Sequence, residues 1–193
     1  MNTTASKLIG EARQMIANVG YNGFSYADLS KRLSISKPSI HHHFPSKVDL
    51  VVAVVEEQRA AIQAQLGALE VGSPDAMVQL LAYVNYWKRC IEDETNTFCL
   101  AGVLATELPG LPPRVGTAVR GHFDDLGRWI ERVMELGLEQ GTIQLDLEPR
   151  TSSQFFQTAV YGAMVMARAY GDARKFNFIV DAFLARMATG KPR

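Results

Sequence analysis

Apolar side chains recur every three or four positions along most of the chain, and capping or turn residues interrupt the rhythm at intervals. Leu8, Ile9, Ala12, Met15, Ile16 and Val19 line one face of a first helix, and Gly20-Tyr21-Asn22-Gly23 closes it with residues that tolerate a left-handed turn. Ser25, followed three residues later by Asp28, forms a capping box that opens a short second helix running to about Leu33. Ser36 caps a third helix, with Pro38 in its first turn, where a missing N–H costs nothing. Only Ser34 and Ile35 lie between the two, the spacing of a helix-turn-helix whose second member can enter a major groove.

The capping pattern repeats at Ser46 and Asp49, which start a long helix through Leu50, Val54, Val55, Ile62 and Leu66 to about Gly72. Ser73-Pro74-Asp75 opens another, with Met77, Leu80, Leu81, Val84, Trp87 and Ile91 on one side, and a shorter helix is predicted from near Thr97 to Glu107. Leu108 to Pro113 is a break. Phe123, Leu126, Ile130, Val133 and Met134 mark a long helix ending near Gly141. Pro149 begins the next, to about Tyr170, and Asp172 caps a last one carrying Phe176, Ile179, Val180, Phe183, Leu184 and Met187. No alternating strand pattern and no internal repeat occurs, so the expected fold is all-α with about nine helices.

Net charge is zero over the 193 residues, but its distribution is uneven. Residues 1–50 hold six basic and three acidic side chains, a net +3, and the remainder carries the compensating −3. A basic N-terminal module on an acidic body fits a phosphate backbone as partner of the first part only. The longest uncharged run, Thr151 to Ala167, is too short and too polar for a membrane span, and Lys7, Glu11 and Arg13 interrupt any secretory signal. A cytoplasmic protein without membrane contact is expected. Cys90 and Cys99 are too few for a disulfide framework and leave room for one regulated thiol.

The segment Gly23-Phe24-Ser25-Tyr26-Ala27-Asp28-Leu29-Ser30, then Ser36-Lys37-Pro38-Ser39-Ile40-His41-His42-His43-Phe44-Pro45-Ser46-Lys47-Val48-Asp49-Leu50, resembles the DNA-binding domain of TetR-family repressors. The resemblance covers the first quarter of the chain and implies a helix-turn-helix domain over 1–47 and a ligand-sensing, dimerising domain over 48–193. Where many members of that family carry Tyr, this chain has His41. The residues themselves agree: Ser36, Lys37, Pro38, Ser39, His41 and His42 offer small or polar groups to base edges and phosphates, while Ile40 and Phe44 can face inward. Ser25-Tyr26 and Ser46-Lys47 stand at helix N-termini and are expected to clamp phosphates. Neighbours on a helix point about 100° apart, so His41, His42 and His43 do not converge on one ion, and neither metal nor cofactor is expected.

The two C-terminal helices are apolar on more than one face, with Phe155, Phe156, Ala159, Val160, Ala163, Met164 and Ala167 on one side and Gly162, Val165, Met166 and Ala169 on another. One face can serve the protomer core. The other, with Phe178 and Phe183, can form a four-helix homodimer interface, as the resemblance implies; filling a monomeric core is the competing reading. A twofold dimer would read a palindromic operator.

Phe98-Cys99-Leu100 through Glu107 is similar to a subgroup of that family in which a cysteine responds to electrophiles or oxidants. Cys99 near a helix N-terminus would gain thiolate character from the dipole, although a buried helix cysteine is as readily inert packing. Cys90 could resolve an oxidised Cys99. Trp87, Cys99, His122, Phe123, Trp129 and Tyr161 are candidate ligand contacts, with ordinary core packing, or for His122 a surface position, as the alternative. No motif pairs a nucleophile with a base, cradles phosphate on glycines or assembles metal ligands, so an enzyme is not expected; a DNA-binding dimer without an effector is a further alternative. The reading is a repressor released from operator DNA by a small molecule or by modification of Cys99.

Overall fold

The computed structural model describes residues 4–94 and 98–189, and among these it contains nine α-helices and no strand. They are α1 (Thr4–Val19), α2 (Tyr26–Leu33), α3 (Lys37–His43), α4 (Lys47–Gly72), α5 (Ala76–Glu92), α6 (Leu100–Glu107), α7 (Pro113–Gln140), α8 (Pro149–Tyr170) and α9 (Arg174–Met187), with a 3₁₀ turn at Leu108–Gly110. The predicted start of α6 near Thr97 lies outside the described residues. The helix itself begins at Leu100, and α7 runs from Pro113 immediately after the proline-rich break.

The helix ends lie where local chemistry puts them. Ser25 makes the capping box with Asp28, Ser36 accepts the Ser39 N–H at 3.4 Å, and Asp75 accepts those of Met77 and Val78. Gly20 at φ +73° ends α1, and Gly171 at φ +60° ends α8. The N-cap position of α9 is Ala173, one residue later than the Asp172 expected from the sequence, and Asp172 accepts the Arg174 N–H at 3.0 Å from just before it.

Packing groups the described residues into two compact units. One holds the chain through Ile62 together with Cys99–Phe123; the other holds Gln63–Phe98 and the chain from Asp124 onward. In the first, Leu8, Ala12 and Ile16 of α1 meet Phe24, Leu29, Ile40, Leu50 and Val54, and Leu100 and Leu104 of α6 with Val115 and Val119 of α7 complete the core. Ile40 is the residue by which the short α3 is rooted, since it is fully buried while its neighbours are not.

In the second unit α8 packs along α9, with Phe156, Val160, Met164, Phe176, Val180 and Leu184 buried. Phe156 sets its ring edge-on to Phe183 at 5.6 Å and lies 6.5 Å from Tyr83, which in turn meets Trp129 at 5.7 Å. Adjacent phenylalanines part company here: Phe155, read from the sequence as sharing the inner side with Phe156, is 56% exposed. The hundred-degree step between neighbours turns it outward, onto the side of Gly162, Val165, Met166 and Ala169. Phe183 is half-buried against Phe156, whereas Phe178 is 78% exposed.

Candidate nucleic-acid interface and sensor site

The turn between α2 and α3 is made by Ser34 in the left-handed region at φ +55°, with the N–H groups of Ser34 and Ile35 both donating to the Ser30 carbonyl. Beyond it, Ser36, Lys37, Pro38, His41 and His42 are exposed on α3, Ser39 is half-buried, and Phe44 closes the helix by donating its N–H to the Ile40 carbonyl. A polar face of this kind, opposite a single buried anchor, can lie against a polyanion without unfolding its own support. The His41 ring nitrogen Nδ1 sits 3.1 Å from the Pro45 carbonyl, which it reaches as a donor, leaving Nε2 as the outward nitrogen.

Two predicted phosphate clamps use their side chains internally. The Tyr26 hydroxyl donates to the Phe44 carbonyl at 2.9 Å and its ring meets His41 edge-on at 4.9 Å, so Tyr26 fastens α2 to the end of α3. Burial, reinforced by Asp49 and Tyr21, pushes its hydroxyl up to about 12. The Lys47 ammonium donates to the Phe24 carbonyl and lies over the rings of Tyr21 and Phe24 at 4.5 and 4.3 Å. Burial pulls it below the ordinary lysine value, while Glu107 and Asp28 push the other way. Ser25 is exposed, but its hydroxyl is committed to the cap, donating to Asp28 at 2.7 Å.

Ser46 donates its N–H and hydroxyl to Asp49, and Arg114 of α7 pairs with the same carboxylate at 2.7 Å. Hydrogen bonds from Ser46, then Arg114, hold the Asp49 carboxyl below the usual carboxylate range, as bonds from Ser25 do for Asp28. A carboxyl depressed in the fold stabilises it above the unfolded value, about 3.9 for Asp, and that contribution disappears as pH falls through the lower folded value. The double variant Asp28→Asn/Asp49→Asn is therefore expected to lose less stability than the wild type between about pH 4 and pH 2, checked by urea midpoints across that range.

Of the six candidate sensor residues, three belong to the first unit. Cys99 is fully buried at the N-terminus of α6, where its side chain makes no cap hydrogen bond, and its Sγ lies 3.6 Å from Nε2 of His122. His122 is only 4% exposed and meets the Phe123 ring edge-on at 5.4 Å. The surface reading of His122 is thereby corrected, because it follows Val115, Ala118 and Val119 at helical spacing on the buried face of α7. A thiol beside an imidazole is a nucleophile beside a proton acceptor, a pairing across 23 residues that no single motif contained.

The other three lie in the second unit. Trp87 and Trp129 are buried with indole N–H groups that find no acceptor, and Tyr161 is half-buried. Trp129 also lines a cleft of about 250 Å³ with Leu66, Glu70 and Arg132. Among the described residues, neither Cys90 nor Cys99 takes part in a disulfide. Among the described residues no cluster of His, Cys, Asp or Glu is placed to hold a metal, and no helix is long and apolar enough to cross a membrane.

Glu107 stands out in the sequence only as a carboxylate available to an enzyme, a reading no motif supports, and its structural role is set elsewhere. It ends the apolar run of α6, and its carboxylate accepts the Tyr21 N–H at 3.0 and 3.3 Å, satisfying a donor left open at the end of α1. The available signal was a single carboxylate closing an otherwise apolar helix, with no basic partner at helical spacing.

Residues 8–54 match the family described as bacterial regulatory proteins of the tetR family, and residues 76–183 match the tetracyclin repressor-like C-terminal domain. The transcriptional repressor DhaR of Mycobacterium sp. (strain GP1) is 26% identical over 159 residues, covering 82% of this chain and 79% of its own. NemR of Escherichia coli K12 is 25% identical over 174 residues, covering 86% and 84%. A TetR-family regulator from Agrobacterium tumefaciens superposes with a TM-score of 0.93 at 43% identity, covering 96% of this chain and 97% of that one. The reduced form of E. coli NemR shares the fold, with a TM-score of 0.87 at 21% identity over 98% of this chain and 100% of its own. With a helix-turn-helix head that matches one family domain and a helical body that matches the other, the chain belongs to the TetR family of bacterial regulatory proteins.

Proposed function

We propose that this regulator is a homodimeric repressor that reads a palindromic operator through α3 of each protomer and releases it when Cys99 is modified or a small molecule binds. Residues 1–47 do the reading, and 48–193 do the sensing and dimerisation. The observation that carries the reading is α3 itself: Ser36, Lys37, His41 and His42 stand exposed on a helix rooted by fully buried Ile40. Lys37 supplies the charge toward phosphate; Ser39 and the histidines supply base-edge contacts. Tyr26 and Lys47 act from behind, by holding α3 and the α1–α2 link in place.

The dimer is supported by a continuous outward stripe on α8, from Phe155 through Ala159 and Gly162 to Met166, beside Phe178 and half-buried Phe183 of α9. Apolar surface at that spacing on two packed helices suits a four-helix interface with a twofold copy. Two heads then span successive half-sites.

For release, the buried Cys99–His122 pair supports reaction with a soft electrophile such as a quinone. The thiol proton passes to His122 as sulfur bonds to a ring carbon; that proton is then delivered to one quinone oxygen, and the proton on the attacked ring carbon moves to the other oxygen, leaving the thioether of the hydroquinone. Reaction proceeds from an open form, since the thiol is enclosed in the described one. NemR, a relative named as a repressor, has a solved structure of its reduced form, a likeness that favours a redox-responsive switch. A second reading, a non-covalent effector bearing hydrogen-bond acceptors, is supported by the two unpartnered indole N–H groups of Trp87 and Trp129. The scheme needs no cofactor and acts on DNA in the cytoplasm.

Fluorescence anisotropy with duplex from upstream of the gene, across a salt series, tests the reading. Wild-type affinity is expected to fall steeply with salt, and Lys37→Ala, which removes one contact from each protomer, to weaken it and reduce the log–log slope by about two. Benzoquinone is expected to release the wild type but not Cys99→Ser. Release of both proteins alike would shift the mechanism to the second reading, and salt-insensitive or absent binding would overturn operator recognition.

A further inference from the structure

The N–H of Tyr21 follows the last hydrogen bond of α1, which runs from Gly20 N–H to the Ile16 carbonyl at 2.9 Å. Tyr21 would otherwise be an open buried donor, and the group that closes it comes from 86 residues away, the carboxylate of Glu107. A Cβ on Gly20 would stand 1.8 Å from Glu107 Oε1 and would push the carboxylate off the Tyr21 N–H, and the left-handed φ of +73° favours glycine there in any case.

The same carboxylate sits in the field of Lys47, whose ammonium is held on the Phe24 carbonyl between the rings of Tyr21 and Phe24. Glu107 therefore meets the α1–α2 link at its start and acts electrostatically on the residue that holds its end, one position before the Ser25 cap of α2. From there Tyr26 carries the connection to the end of α3 through the Phe44 carbonyl. α6 packs against α1 alongside α2, α3 and the first turns of α4, and it is short and almost entirely apolar. Its position is set largely by packing, and Glu107 adds a directional tie to the end of α1.

We propose that Glu107 is a positioning residue for operator recognition: its carboxylate latches the α1–α2 link to α6, so that a shift of α6 is transmitted to α2 and α3. The two ends of α6 then have separate tasks. Cys99 at its N-terminus lies about 12 Å along the helix axis from Glu107 at its C-terminus, at 1.5 Å per residue. A group added to Cys99 must displace the start of a helix whose end holds the reading head. The regulatory use of the latch rests on the operator-binding reading above; the latch itself does not.

Hydrogen–deuterium exchange on the full-length protein tests it without DNA. Glu107→Ala is expected to raise exchange about tenfold or more across residues 20–44, through α2 and α3, with α8 and α9 unchanged. Glu107→Gln keeps both the size and an acceptor oxygen and is expected to restore most of the protection, whereas Glu107→Met, of similar size without an oxygen acceptor, is expected to behave like the alanine variant, which a space-filling role would not give. Glu107→Asp, one methylene short, provides the same test in a fold-preserving variant and is expected to change in the direction of the alanine variant. Thr106→Ala, whose hydroxyl bonds only within α6 to Val103, is the control and should match the wild type. Increased exchange confined to residues 20–24, or spread equally into α8 and α9, overturns the proposal. Anisotropy with the upstream duplex is the second arm, with about tenfold weaker binding expected for Glu107→Ala. If the wild type binds no DNA, operator recognition fails, while the exchange pattern still decides the latch.

Discussion

Phe156→Ala is expected to lower the unfolding free energy by about 3–5 kcal/mol, the usual cost of emptying a buried phenylalanine site. Phe156 is fully buried and touches aromatic rings from two other helices, Tyr83 of α5 and Phe183 of α9. Alanine removes the ring and leaves a void whose walls belong to three helices, which cannot all close on it together. Chemical denaturation at fixed protein concentration measures the effect, with a lower midpoint and an unchanged slope as the expected result. A loss of less than about 1 kcal/mol would mean that this packing does not hold the second unit together.

Met166→Asp is expected to have the larger functional effect with little change in the protomer's own core. Met166 is 40% exposed on the outward stripe of α8, one helical turn from Gly162. In a twofold dimer the change enters the interface twice, and each buried carboxylate lacks a partner, at a cost of several kcal/mol. Sedimentation velocity at micromolar concentration should show a monomer, and operator affinity should fall at least about a hundredfold because a single head reads only one half-site. Retention of the dimer by this variant would place the interface elsewhere. Phe156→Ala and Met166→Asp thus separate the two faces of one helix, since the first should unfold protomers and the second should part them.

Recognition of the reading head from sequence succeeded because its determinants are local. A serine, aspartate or glycine at a helix end acts on N–H and C=O groups within four residues, so Ser25, Ser36, Ser46, Asp75 and Gly20 could be read before any packing was known. The same holds for Ile40, whose apolar side chain among polar neighbours marks the inner face of α3. The candidate sensor site was legible only in part. Cys99 stood out as a thiol near a helix start, but its neighbour His122 read equally well as a surface residue, because only packing shows that it shares the buried face of α7 with Val115, Ala118 and Val119.

Side-chain destinations were the least legible. Lys47 and Tyr26 have polar ends that suit phosphate, yet each finds a backbone carbonyl of the head within reach, and a long or amphipathic side chain follows whichever partner the fold provides. Phe155 and Phe156 are chemically identical neighbours, and only the arrival of α9 and Tyr83 on one side distinguishes them. Helical periodicity states which residues share a face, but not which other helix covers it. The sequence by itself determined the helices, most of their caps, the helix-turn-helix and the family to which they belong. Tertiary structure alone decided that α6 and the start of α7 complete the core under the head, that Cys99 meets His122, and that Glu107 closes a turn 86 residues away. The physical reason is range: caps and turns are settled within one helical turn of chain, whereas these contacts exist only once distant helices have packed.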